Sequence, residues 1–212
     1  MIYFAGRAIP DRLEEIVDPK RSALLVWDMQ YDIATRAFNY QEILGNIKQL
    51  TAAARKADVP VVYSQQTAFD LKYETAAWVR RRTQQAKVAD PAQVPARTME
   101  GTRGWEVVDE LKPQSGDVVF KKHRPSAFIA TDLDLILRNR GIDTVVLTGV
   151  STEGGIEGSA RHGANLGHYM VVVRDAVGSH DREGHEMALI FIEKTFDVVD
   201  SKQLLAIWGK AA

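Results

Sequence analysis

What most limits the folds open to this chain is the texture of its apolar runs. "SALLVWDMQ" (22–30), "DVPVVYSQQ" (58–66), "IDTVVLTGV" (142–150) and "YMVVVRDAV" (169–177) are near-continuous hydrophobic stretches rich in β-branched residues. Unbroken rather than alternating hydrophobicity marks strands buried on both faces, as in a parallel sheet covered by helices. A fifth strand is expected in "SGDVVFKKHRPSAF" (115–128), running into a loop, and a short last one in "DVVDS" (197–201). Segments of helical spacing separate them: "YQEILGNIKQLTAAARKA" (40–57), "GWEVVDELKP" (104–113), "TDLDLILRNRG" (131–141), "IEGSARHGANLG" (156–167) and "DREGHEMALIFIEKTF" (181–196). Thr131 caps the third of these, and Gly141 and Gly167 stop the third and fourth. Strands alternating with helices imply right-handed crossovers. The expected fold class is α/β, a three-layer α/β/α sandwich with a mainly parallel sheet and helices on both faces. A chain of 212 residues is long enough to bury one such core, so 1–212 is expected to be a single domain.

Composition then removes whole classes of function. Formal net charge is −1, and the only dense basic run is "VRRRT" (79–83), so no nucleic-acid partner is expected. That run reads as a solvated helix face, with Arg81 or Arg82 the members placed to hold a substrate carboxylate. It lies in a less regular, charged stretch, Thr67 to Gly104, punctuated by Asp90-Pro91 and Val94-Pro95. Zero cysteines exclude disulfides, thiolate catalysis and cysteine metal sites. No run approaches the ~18 apolar residues of a membrane span, and the N-terminus lacks the build of a signal peptide. The expectation is a cytoplasmic protein with no membrane partner.

In an open parallel sheet, ligands bind beyond the carboxyl ends of the strands. Those ends carry Asp28, then Gln65 and Gln66, then Lys121, Lys122 and His123, then the Val150-Ser151-Thr152 turn, then Asp175. Alone, Asp28 also suits a carboxylate that merely satisfies a loop. Together with a lysine and a glycine turn from two other strands it suits catalysis. His162, His168, His180 and His185 sit at no ligand spacing and read as structural; His123 borders the site. Trp27 and Met29 read as core.

Three separated stretches, "LLVWDMQ", "VVFKKHRPSAFIATDLDLILRNRGIDTVVLTGVSTEGGIEGSAR" and "GHYMVVVRDAV", resemble the isochorismatase-like hydrolase superfamily, often called cysteine hydrolases. The resemblance runs from about Leu24 to Val199 and is weakest between Thr67 and Gly101. It implies a catalytic aspartate at Asp28 and a catalytic lysine at Lys122. It implies a cis peptide at Val150-Ser151, and a turn, Val150, Ser151, Thr152, Gly154 and Gly155, that binds substrate together with Gln66. It implies a homodimer or homotetramer, with "AFIATDLD" and the helix from Ile156 at the contact. Members that bind a metal place histidines just past the second strand; "QQTAFDLKYE" has none, so neither metal nor other cofactor is expected.

The family's nucleophilic cysteine falls on Gly155. One branch that also has glycine there cleaves an enol (vinyl) ether by protonating it, a chemistry needing no covalent nucleophile. The leading expectation is therefore a small-molecule hydrolase of that type with Asp28 as general acid. The alternatives are an amide or ureide hydrolase in which Asp28 activates water, and a binding oligomer without catalysis. Gly155 is expected to leave room for a bulky ring beside bare helix N–H groups, with Glu153 facing outward or capping the helix.

Overall fold

A computed structural model describes residues 1–210. Six strands, β3 (Ser22–Trp27), β4 (Val61–Gln66), β5 (Val118–Lys122), β6 (Thr144–Val150), β7 (Tyr169–Gly178) and β8 (Asp197–Val199), form one sheet in the order β5-β4-β3-β6-β7-β8. Every neighbouring pair is parallel. Ahead of them lies a small antiparallel hairpin of β1 (Ile2–Phe4) and β2 (Arg7–Ile9), which the apolar pattern does not announce.

The strand faces explain the unbroken hydrophobicity. Leu24 and Val26 of β3 enter one core layer, while Ala23, Leu25 and Trp27 enter the other. The first layer is closed by α1 (Leu13–Ile16), α2 (Tyr31–Ala34), α3 (Tyr40–Lys56) and α8 (Ser201–Trp208). The second is closed by α5 (Leu133–Asn139), α6 (Glu157–Asn165) and α7 (Arg182–Thr195). The chain is thus a three-layer α/β/α sandwich. The remaining helix, α4 (Ala76–Ala86), buries none of its residues and stands off the sheet, within the stretch read as irregular. No helix among the described residues is long and apolar enough to cross a membrane.

Two expectations need correcting. "GWEVVDELKP" makes only a single 3-10 turn, Asp109–Leu111. Its main chain is drawn into the loop after β3, with Tyr31 N donating to Glu106 O and Val108 N to Met29 O, so an acceptor and a donor that a helix needs are already used. β7 does not end at Asp175; its register against β6 slips after Leu147, and the strand continues to Gly178. Asp175 turns out of the sheet and accepts hydrogen bonds from Ser201 N (2.8 Å) and Ser201 Oγ (2.6 Å), anchoring the start of α8. Helix α8 itself has no forecast.

That helix matters to stability. Trp208 is fully buried, and its indole N–H donates to Val17 O at 3.0 Å. Trp208→Ala leaves a ring-sized void and an unpaired buried carbonyl, and an expected loss of about 3–5 kcal/mol. Urea denaturation checks this; a loss below about 1 kcal/mol would mean the helix is not integral to the core.

Candidate active site

Strand order reverses between β3 and β6: the chain winds outward from β3 through β4 to β5, returns to β6, and winds the other way. A crevice opens beyond the carboxyl ends at such a switch point. Asp28 leaves β3 there, at a left-handed φ of 46° that short polar residues tolerate, and the cis Val150-Ser151 peptide leaves β6.

Asp28 and Lys122 are both fully buried, with Lys122 Nζ 2.7 Å from Asp28 Oδ2. Ser64 Oγ donates to Asp28 Oδ1 at 2.6 Å. The ammonium also donates to Gln66 Oε1 (3.0 Å) and Arg124 O (3.3 Å), and lies 3.8 Å from the centroid of the Trp27 ring. Burial pushes the Asp28 carboxyl up from the usual carboxylate range, and Lys122 and Ser64 pull it back. Burial likewise pushes the Lys122 ammonium down, opposed by Asp28. Each charge is tolerable at this depth only because the other is present. Gln30 stitches the strand ends together, its side chain donating to Gln66 O and Trp105 O and accepting from Gln66 N.

Asp28 lies on a pocket of about 300 Å³ that Gln66, Val150, Ser151 and Gly154 also line. Lys122 stands behind Asp28. Thr152 does not reach the pocket: its hydroxyl donates to Gly178 O (3.1 Å) and meets His185 Nδ1 (2.8 Å). Gly155 does not reach it either, and the room expected beside it is taken. A Cβ at 155 would overlap the six-membered ring of Trp27, so only glycine fits. Glu153 points toward the start of α7, where Oε1 accepts from Ser179 Oγ at 2.8 Å. Of the main-chain N–H groups at this turn, those of Gly155 and Ile156 donate to Ser151 O.

Several lining groups have no forecast. Ser64 touches the buried pair, and Arg36, Arg97 and Trp78 ring the pocket; Arg81, expected as a holder of a substrate carboxylate, stands with them, and Trp27 and His180, read as core and as structural, also line it. The remaining histidines have internal partners: His162 meets Ser126 Oγ, His168 meets Asp134, and His123 meets Thr67 O and stacks on Phe69. Lys121 pairs at the surface with Glu100. A larger hollow, about 540 Å³, lies at the opposite edge of the sheet; its Arg55–Asp117 pair is already complete.

A family model described as Isochorismatase domain matches residues 22–203. Ureidoacrylate amidohydrolase RutB of Pseudomonas syringae pv. syringae is 32% identical over 209 residues, covering 90% of this chain and 84% of that protein. RutB of Enterobacter sp. strain 638 is 33% identical over 205 residues, covering 89% of each. Among solved structures, a cysteine hydrolase from Pseudomonas syringae pv. phaseolicola 1448A superposes with a TM-score of 0.80 at 26% identity, covering 93% of this chain and 96% of that one. A match across nearly the whole sheet and its helices, on sequence and on shape alike, makes this chain a member of the isochorismatase-like hydrolases.

Proposed function

We propose that the chain hydrolyses a C–N bond, in an amide or ureide, without forming a covalent bond to its substrate. The observation that carries this reading is the buried Asp28–Lys122–Ser64 cluster opening on the pocket, on a fold whose similar relatives are amidohydrolases acting on ureidoacrylate. Asp28 takes a proton from a water molecule as its oxygen attacks the carbonyl carbon. The tetrahedral intermediate then collapses, the C–N bond breaks, and Asp28 returns the proton to the departing nitrogen. Lys122 holds the carboxylate in place and offsets its burial. Gln66, Val150, Ser151 and Gly154 position the substrate against Asp28. A carboxyl raised above its ordinary range by burial is a stronger base than a solvated one.

The enol-ether reading is less well supported by the relatives, which break C–N bonds. What favours it is Gly155 beneath the Trp27 ring, a turn with no room for a nucleophile. One experiment separates the two. Purified protein is offered ureidoacrylate and, separately, isochorismate, with ammonia and pyruvate measured. Ammonia from the first and no pyruvate from the second is the expected outcome; the reverse overturns the proposal.

A pH profile tests the role of Ser64. Its hydrogen bond favours ionised Asp28, so Ser64→Ala raises the Asp28 pKa further. A base is active above its pKa, so the acidic limb of kcat/KM is expected to move to higher pH. A limb that stays put or moves down would show that Asp28 does not act as the base.

A further inference from the structure

Arg36, Arg81 and Arg97 come from three separate segments: the turn after α2, the first turns of α4, and the loop before β5. All line the pocket that Asp28 enters. An adjoining hollow of about 360 Å³ shares Arg36 and Arg97 and adds Arg82. Elsewhere many of the arginines are paired, among them Arg55 with Asp117, Arg103 with Asp109 and Arg124 with Glu74, while the others left without a carboxylate, such as Arg7 and Arg80, line neither hollow. Among the described residues, none of these four pocket arginines pairs with a carboxylate. Of the two acids that line the pocket, Asp28 is paired with Lys122, and Asp32 accepts from Thr98 N at 2.7 Å and so is held by the main chain of the same loop. Four like charges gathered round two adjoining hollows repel one another, and an anion among them relieves that repulsion. Arg81 is also oriented, its guanidinium 5.2 Å from the centroid of the Trp78 ring.

We propose that these arginines form an oxyanion clamp, so that the substrate carries a carboxylate at the end remote from its scissile bond. The clamp is specific to a planar anion, because guanidinium donors match a carboxylate in pairs. The proposal rests on the pocket being the C–N hydrolase site argued above, and it narrows the substrate to an amido or ureido acid. Since α4 buries none of its residues and carries Arg81, the anion also helps dock that helix over the bound molecule.

The test compares ureidoacrylate with its methyl ester in the wild type and in Arg81→Gln, Arg97→Gln and Arg80→Gln. Arg80 lies on α4 outside both hollows and serves as the charge-matched control. The expected result is an acid-over-ester preference in kcat/KM that falls about tenfold or more in Arg81→Gln and Arg97→Gln, mainly through KM, and holds in Arg80→Gln. Equal preference in all four proteins overturns the clamp while leaving the hydrolase reading intact. If no protein releases ammonia, calorimetric binding of ureidoacrylate decides. Binding by the wild type that is weakened in the two pocket variants upholds the clamp without the C–N reaction, and binding unaffected by them, or none, overturns it.

Discussion

Asp28→Asn is expected to cut turnover by about 10²–10⁴-fold, the range a positioned acid–base group contributes, while substrate still binds. The same change strands Lys122, fully buried, without its counter-charge. Removing one partner of a buried pair typically costs about 3–5 kcal/mol, so the variant is also expected to unfold at a lower temperature. The two effects separate in Asp28→Asn/Lys122→Met, where the stranded charge is gone. Stability should recover in that double variant, because an apolar side chain replaces the ammonium, and activity should not. Full turnover in Asp28→Asn would remove the aspartate from the mechanism.

The second large effect concerns the turn. Gly155→Cys, the substitution that places a thiol where the family's nucleophile falls, is expected to destabilise the protein and to add no activity. A Cβ at 155 meets the Trp27 ring, itself packed over the Lys122 ammonium and in the core below. Overpacking of this kind costs about 1–3 kcal/mol, more where the neighbour cannot move. Trp27→Ala alone opens a void at a cost of about 3–5 kcal/mol. Combined, the two changes relieve each other, and the double variant should be more stable than the sum of the singles by about 0.5–3 kcal/mol. A Gly155→Cys protein as stable as its parent would mean that the ring swings aside freely and that the site is not closed to a nucleophile. Tm and denaturant midpoints of the four proteins supply the answer.

Much of this architecture can be read from the chain, for an identifiable reason. Strands such as 144–150 are buried on both faces, so apolar residues fall on adjacent positions rather than alternate ones and the run stands out in one dimension. Asp28 and Lys122 stand out too, because strand ends are legible and sheet topology brings strand ends together. What escapes is whatever depends on side-chain trajectories or on non-local capture of the main chain. Trp27 reads as core, and it is core; that its ring also occupies the space over Gly155 depends on how β3 and β6 register, Trp27 against Gly149. Residues 104–113 have helical spacing, but the loop after β3 takes their hydrogen bonds. Arg36 and Arg97 sit in irregular segments distant in sequence, and only the closed fold sets them beside Arg81. The resemblance that places a cysteine at 155 carries the residue type, and the packing explains why it is missing.

Hydrolysis with no covalent intermediate is the claim on which the rest depends, and the mass of the protein during catalysis tests it most directly. Enzyme in excess over ureidoacrylate is acid-quenched within a single turnover, its intact mass is read, and released ammonia is measured in the same samples. Ammonia accumulating while every sample keeps the unmodified 23.6 kDa mass is the predicted result. A transient species heavier by the acyl fragment of the substrate, whichever side chain carries it, would contradict the account.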